Sequence, residues 1–343
     1  MSKSVDDRVR ASLDEAESRR ACLEAGGNAS RRELELRLAK GELVRPLPRL
    51  YARQDYWKGL LPDERALHKM RGLARLRLQW VFAGPSAALV HGAPVSYGLL
   101  DTLEVVSDNG SRHFCGNKVR GVYVCEEEAA GIDLAGLRVT DAFRTALDCA
   151  RSLPFRDAVA IVDGMLHDGL FSKDELFQYL DGHKYGVHGI HRAREVAAFA
   201  DGGSCSGGES IARAAMHELG FAGPELQVPI EDPVDGRTYF IDFLWRLPGG
   251  RVVAGELDGG EKYVNPEMTR GRSALDVLRA ERQRESRITA SCDSVVRFSP
   301  DDVANPWRFG RLLDAFGVPR DHEPLILAAQ PIEEEVPLEC YGV

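Results

Sequence analysis

Near the C-terminal third of the chain, Tyr239-Phe240-Ile241-Asp242-Phe243-Leu244-Trp245 places one carboxylate inside an apolar run. Its aromatic and branched residues read as a β-strand. A charge in the middle of such a strand is costly unless it is paired, hydrogen-bonded or bound to a cation. Pro248-Gly249-Gly250 then turns the chain, and Arg251 to Leu257 forms a second apolar run that closes on Glu256-Leu257-Asp258. A loop this short joins neighbouring antiparallel strands, so Asp242 and Glu256 can sit side by side. Glu256 and Asp258 are two apart and share a face if the strand continues.

The residues upstream add to this frame. Leu226-Gln227-Val228-Pro229-Ile230 reads as a strand, and Asp235-Gly236 is a hairpin signal leading into the Asp242 strand. Glu209 to Leu219 reads as a helix bounded by glycines, which lets Glu209 approach the same acids. An oxygen-rich set of this kind suits magnesium or manganese, and no organic cofactor is called for. Lys262, just past Gly259-Gly260, would act on the attacking water or on a phosphate. That is the logic of metal-assisted phosphodiester hydrolysis. The competing arrangement puts Asp242 in a buried salt bridge with Arg237 or Arg282 and leaves Glu256-Leu257-Asp258 as an exposed strand end. Further on, Arg272 to Thr289 reads as a long charged helix, and Ser294 to Phe298 as a strand followed by a helix from Asp301. On the long helix, Arg282 and Arg284 could hold a DNA backbone, or could simply pair along a solvated face.

Charge is unevenly spread. The chain of 343 residues has a formal net charge of -9, which argues against a nucleic-acid partner, yet residues 1–80 hold 18 Lys and Arg against 12 Asp and Glu. The remainder holds 26 against 41, and 321–343 carries six acids with no Lys or Arg. The basic part is therefore the one suited to phosphates. Residues 5–25 read as helical, with apolar positions at Val9, Leu13, Ala16 and Cys22-Leu23, and Gly26-Gly27-Asn28 breaks the helix. Ser30 and Glu33 form a capping-box pattern for a second helix, Arg31 to Lys40, with Leu34 and Leu38 inward and Arg31, Arg32, Arg37 and Lys40 elsewhere. Two short strands around Leu43 to Arg45 and Leu50 to Arg53 then make a hairpin with a basic turn holding Arg45 and Arg49. Helix, helix and basic hairpin is the winged-helix layout, in which a helix enters the major groove and the wing tracks the backbone. A small helical domain whose hairpin contacts protein would give the same pattern.

The region 62–180 alternates expected helices (63–80, from 85, 141–152, 155–166) with strands (103–106, 119–125) and shows no catalytic constellation. His91 there reads as a helix-end packing group. Residues 181–207 are rich in glycine and histidine, but His183, His188 and His191 fit no standard metal spacing, so a linker followed by one helix is expected. With 44% hydrophobic and 28% charged residues, the chain can fill ordinary cores. It has no apolar run long enough to span a membrane and no secretory leader at its start. The seven cysteines, at 22, 115, 125, 149, 205, 292 and 340, are dispersed, with no C-x-x-C pair, as expected of free thiols in the cytoplasm.

Two resemblances sharpen these expectations. RRELELRLAKGELVRPLPRLYAR looks like the winged-helix start of AbiEi-type antitoxins of type IV toxin–antitoxin systems, although Arg49-Leu50-Tyr51 is one residue shorter than the Arg-Gly-Val-Tyr common there. GPSAALVHGAP and VTDAFRTALDCA extend that resemblance into the middle region. The C-terminal part resembles very-short-patch-repair endonucleases of the PD-(D/E)xK superfamily. The matching residues are Gly208-Glu209-Ser210, Ile241-Asp242-Phe243, Glu256-Leu257-Asp258-Gly259, Lys262-Tyr263, Glu281-Arg282 with Arg284-Glu285, and Val296-Arg297. The resemblance implies that Glu209, Asp242 and Glu256 are the metal-binding acids. The superfamily's E-x-K would place a lysine at 258, where this chain has an acid; either Lys262 substitutes for it or Asp258 is an extra metal ligand.

The expected architecture is multidomain α/β. It comprises a winged-helix-like DNA-binding domain (1–60), a middle AbiEi-like α/β domain (61–180), a linker and helix (181–204), a restriction-endonuclease-like domain (205–318) and an acidic tail (319–343). Three functions remain open on this basis. The first is a DNA-binding, magnesium-dependent endonuclease, with catalytic residues Glu209, Asp242, Glu256, Asp258 and Lys262 and with Arg31, Arg32, Arg37, Lys40, Arg45, Arg49, Arg282 and Arg284 on DNA, in phage defence or on a mobile element. The second is a non-catalytic antitoxin and transcriptional autoregulator with a cognate toxin, and the third a protein–protein adaptor.

Overall fold

The computed structural model describes residues 5–26, 28–107, 113–124, 126–183, 188–232, 236–258, 287, 289 and 291–326. The chain is mixed α/β with several separate sheets and divides into two compact units, Met1–Gly202 and Gly203–Val343. No helix among the described residues is long and apolar enough to cross a membrane.

The first unit opens with α1 (Val5–Ser18), whose Val9, Leu13 and Ala16 recur at helical spacing and are buried. The helix stops seven residues short of the sequence expectation. Arg20 adopts a left-handed φ of 50°, and Leu23–Glu24 becomes a strand, β1, paired with Tyr51 and Leu50. Pairing with an open strand edge thus overrides the helical pattern. After α2 (Asn28–Ala39), β2 (Leu43–Leu47) and β3 (Leu50–Arg53) form an antiparallel hairpin, and the sheet order is β1-β3-β2. Arg49 sits at the tip with φ 69°. Val9, Leu13, Leu34, Leu43 and Tyr51 close a small core beneath it.

Packing does not stop near residue 60. After α3 (Gln54–Gly59), α4 (Pro62–Leu76) starts with proline in its first turn and with Glu64 bonded back to the Leu61 amide. Its Ala66, Met70 and Leu73 join Cys22, Leu47 and Leu50 in one core with Phe82, Leu103, Val105, Val119 and Val139. The close approach depends on Gly72, where a Cβ would lie 2.9 Å from Leu50 Cδ2 and 3.1 Å from the Cys22 carbonyl. The residues of the expected winged helix and of the middle region therefore share a core. The latter contributes α5 (Gly84–Val90), then β4 (Leu103–Ser107), β5 (His113–Phe114) and β6 (Val119–Tyr123) in the order β4-β6-β5, with β4 and β6 parallel. A short α6 (Glu126–Ala129) precedes the β7 (Ile132–Leu134)–β8 (Leu137–Val139) hairpin.

Four helices complete the unit: α7 (Ala142–Ser152), capped by Asp141, α8 (Phe155–His167), α9 (Lys173–Gly182), capped by Ser172, and α10 (Ile190–Phe199). The expected linker region thus contributes α10, whose Ile190, Ala193, Val196 and Ala197 are buried against its neighbours, and the unit ends at Gly202.

The second unit begins with α11 (Gly207–Glu218) and a four-stranded sheet in the order β12-β11-β10-β9. β9 (Glu225–Glu231), β10 (Thr238–Arg246) and β11 (Val252–Leu257) are antiparallel neighbours, and β12 (Ser294–Phe298) runs parallel to β11. Both sheet faces are apolar. Phe243, Trp245, Val253, Val296 and Phe298 pack with Ala212, Ala215 and Met216 of α11, with Val303 of α12 (Pro300–Ala304) and with Phe309 and Leu313 of α13 (Pro306–Phe316). Ile241, Leu244, Ala254 and Cys292 line a second cluster with Val228 and Val295. Lys262, Arg282, Arg284 and nearly all of the expected helix 272–289 lie outside the described residues, as does the tail from 327.

Candidate functional site

The end of the sheet nearest the start of α11 gathers the acids. Ser206 caps α11: its hydroxyl accepts from the Glu209 amide at 3.2 Å and donates to Glu209 Oε1 at 2.9 Å, while the Cys205 amide donates to Oε2 at 2.9 Å. Ser206 is thus the N-cap of α11, and these contacts fix the Glu209 carboxylate where the helix dipole favours negative charge. Glu209 is 8% exposed.

Gln227 on β9 connects that carboxylate to the sheet. Its Nε2 donates to Glu209 Oε2 at 2.9 Å and to Asp242 Oδ1 at 3.2 Å, so the two acids lie within two hydrogen bonds of each other. Gln227 holds a left-handed φ of 47° inside a strand, a conformation unfavourable for any residue with a Cβ. Gln227 carries no signal in the sequence, because nothing in a strand of alternating residues distinguishes an outward glutamine from one aimed at two acids. The other oxygen of Asp242 accepts from the Leu257 amide at 3.0 Å. Among the described residues Asp242 is therefore held by an amide side chain and a backbone N–H, and Arg282, named above as one of its possible partners, lies outside them.

Phe243 opposes Gly255 and Leu244 opposes Ala254, so the same register sets Asp242 across from Glu256, which is 4% exposed. Gly255 allows this: a Cβ there would come within 3.0 Å of the Trp245 ring and 3.2 Å of Phe243 Cβ. Asp258 continues the ladder, its amide donating to the Phe298 carbonyl at 2.9 Å. Its side chain is half exposed and meets Arg297 Nη1 at 3.4 Å. Burial first, then the charges of Glu209 and Asp242, push the exposed Cys205 thiol up. The donor chemistry, carboxylate and amide oxygens, fits a hard divalent cation. No group of three or more His, Cys, Asp or Glu stands around a single metal-binding point among the described residues. The fold thus assembles Glu209 with Asp242, places Glu256 opposite, and turns Asp258 toward an arginine.

In the first unit, Arg31, Arg32, Lys40, Arg45 and Arg49 are exposed on α2 and the hairpin. Arg45 is tied to Glu35 at 3.0 Å, and the Tyr51 hydroxyl donates to the same carboxylate at 2.6 Å. Arg37 departs from the expectation. Its side chain is only 11% exposed and pairs with Asp6 of α1 and, at 3.1 Å, with Glu33. It lies on the α1-facing side of α2, where the two acids draw it in, and it acts as a strut between helices.

The middle region, read as lacking a constellation, holds a buried ionic network instead. Arg144 binds both oxygens of Asp148, at 2.9 and 3.0 Å, as well as Glu128 at 2.8 Å and the Tyr123 carbonyl, and Arg151 also pairs with Asp148. His183 ends α9 with its Nδ1 on the Tyr179 carbonyl, and His91 bonds the Thr140 carbonyl. His183 also lies 3.4 Å from Glu128, and His91, at the end of α5, thus ties that helix to the segment before α7.

Two proteins of Mycobacterium tuberculosis, uncharacterized protein MT2308 of strain CDC 1551 / Oshkosh and uncharacterized protein Rv2248 of strain ATCC 25618 / H37Rv, are each 30% identical to this chain over 250 residues. The match spans 71% of this chain and 84% of the relative in both cases, and the chain belongs to their family. No family model matches the chain, and no solved structure matches it.

Proposed function

We propose that this member of the Rv2248 family acts on DNA in the cytoplasm, reading it with a winged-helix-like module at its N-terminus and hydrolysing a phosphodiester with a PD-(D/E)xK-like domain in its second unit. The observation that carries the reading is the convergence of Glu209 and Asp242 on Gln227, with buried Glu256 in register across from Asp242. Carboxylates this close repel one another and are best reconciled by a cation. The helix, two antiparallel strands and third carboxylate-bearing strand follow in the order that the resemblance to very-short-patch-repair endonucleases implies.

Glu209, Asp242 and Glu256 would hold magnesium or manganese, with the Gln227 amide turning its oxygen toward the ion. When bound, such an ion supplies Lewis acidity toward a phosphate and water. The Ser206 hydroxyl and the Cys205 amide orient Glu209, the Leu257 amide orients Asp242, and the apolar faces of β10 and β11 keep Glu256 out of water. Arg31, Arg32, Lys40, Arg45 and Arg49 would contact the backbone without reading sequence.

A second reading, a non-catalytic AbiEi-like antitoxin and autoregulator that binds a cognate toxin, is favoured by one feature: Asp258, at the position of the E-x-K lysine, is engaged with Arg297. The two separate in one assay. Plasmid and mismatched duplex DNA are incubated with magnesium or manganese and either the wild type or Glu256→Gln. Nicking by the wild type that disappears in the variant supports the nuclease. Salt-sensitive DNA binding by both, without nicking by either, supports the regulator.

A further inference from the structure

The acid-lined end of the sheet also holds a guanidinium. β12 runs parallel to β11, and the register pairs Arg297 with Glu256. Two residues beyond Glu256, Asp258 Oδ1 receives Arg297 Nη1 at 3.4 Å, a long contact between side chains 47% and 25% exposed. Pairs of that exposure exchange readily with water and with other anions. The Nε atom of Arg297 is buried and has no hydrogen-bond partner among the described residues. A donor left in that state is unfavourable, and an anion that completes it is correspondingly favoured. The guanidinium fork matches the spacing of phosphate oxygens. Position 258, at the end of β11, is an acid where the E-x-K pattern has a lysine.

We propose that Arg297 is a phosphate-positioning residue: it exchanges its contact with Asp258 for the non-bridging oxygens of a DNA backbone phosphate and holds that phosphate beside Glu256. This rests on the nuclease-fold reading of the second unit. No bond is made or broken by Arg297; its role is to offset the negative charge that the acids would otherwise present to an anionic substrate. Asp258 is then the resting partner that keeps the guanidinium in place.

The test uses the full chain and a short duplex labelled for fluorescence anisotropy. Affinity is measured without divalent metal and again with calcium, across salt from about 50 to about 200 mM, where phosphate contacts dominate the salt dependence. Arg297→Gln is expected to weaken binding about tenfold and to lower the slope of log affinity against log salt by about one. Arg297→Lys should restore the slope, and Asp258→Asn, which releases the guanidinium, should tighten binding. Slope and affinity unchanged in Arg297→Gln, with only a lower melting temperature, would make Arg297 a strut between strands and overturn the proposal. A slope loss in Arg297→Gln from a wild type that never cleaves DNA supports the phosphate contact and refutes hydrolysis alone. Cleavage that persists at unchanged KM in Arg297→Gln, with an unchanged slope, refutes the Arg297 role alone.

Discussion

Replacing Gln227 by alanine removes a side chain that bonds both Glu209 and Asp242. Neither acid is stripped by the change: Glu209 keeps the Cys205 amide and the Ser206 hydroxyl, and Asp242 keeps the Leu257 amide. The loss is therefore below that of two full charge-assisted bonds, about 2 kcal/mol in all. For a unit of this size it corresponds to a melting temperature lower by about 4–8 °C. Gln227→Gly loses the same bonds but relieves the positive φ, worth about 1–2 kcal/mol for a residue with a Cβ. Glycine returns about 0.5–1 kcal/mol of that gain through chain entropy. The glycine variant should then melt above the alanine variant, which separates the bridge from the strain.

Added magnesium gives the decisive comparison. A cation that binds only the folded unit at ten times its Kd stabilises it by about 1.4 kcal/mol. In the alanine variant the acids no longer share an amide donor, so magnesium or manganese should recover more than half of the lost stability. The wild type should gain less, since its Gln227 must turn before the ion can be held. Differential scanning calorimetry of the three proteins, with and without metal, measures both effects. Gln227→Ala melting with the wild type would show that the amide does not hold the acids together. Equal melting with and without metal in all three proteins would refute a cation site at these residues.

Two further outcomes follow from the first unit and from the α11 terminus. Arg31→Ala and Arg32→Ala should each lower the salt slope of DNA binding by about one while leaving stability alone. Arg37→Ala should instead lower the melting temperature and leave the slope unchanged, because its charge is spent on Asp6 and Glu33; a slope change in Arg37→Ala would return it to the DNA-contacting set. At the far end of α11, His322 Nε2 lies 2.8 Å from the His217 carbonyl, and its hydrogen bond to Asp321 raises the imidazole above its ordinary value. A raised pKa means that stabilisation is complete below pH 6.5 and is lost as pH rises past it. The melting difference between wild type and His322→Ala should thus be larger at low pH than at high pH, and a difference independent of pH would exclude that linkage.

Much of the second unit was legible because its signals are local. Strand pairs separated by glycine turns show where β9, β10 and β11 lie, and the short loop between the last two lets Asp242 and Glu256 sit side by side, while the register that sets them opposite comes from the structure. Gln227 was not legible, because its role comes from an unusual φ and from a side-chain direction that strand alternation does not give. Arg37 was misplaced for a related reason: helical spacing tells which residues leave the core, but not which outward side meets α1. The strand at Leu23–Glu24 was lost to an apolar pattern that a helix would fit equally well; only the unpaired edge of β3 decides between them. Lys262, Arg282 and Arg284 fall outside the described residues, so the basic complement expected across the acids stands as a sequence expectation.

The balance of charge at the sheet end limits what that end can do. At a separation of about 6 Å, two carboxylates repel by about 3 kcal/mol at an effective dielectric constant near 20. Glu209 and Asp242 bear this with a neutral amide between them, and Glu256 is buried across the strand with Arg297 beside it in the ladder. A phosphodiester brought to that surface meets acids first. Among the described residues, positive charge to offset them comes from Arg297 swinging off Asp258, and a divalent ion between the acids would add to it. A unit that bound DNA here with neither would contradict this electrostatics. A unit that bound DNA only through α2 and the hairpin would leave the carboxylates as a relic of the fold, which is the regulator's signature. Metal dependence of DNA affinity, measured with Arg31 and Arg32 both replaced by alanine, tells these apart: affinity that rises with calcium places DNA at the acids, and affinity lost at every calcium concentration confines it to the first unit.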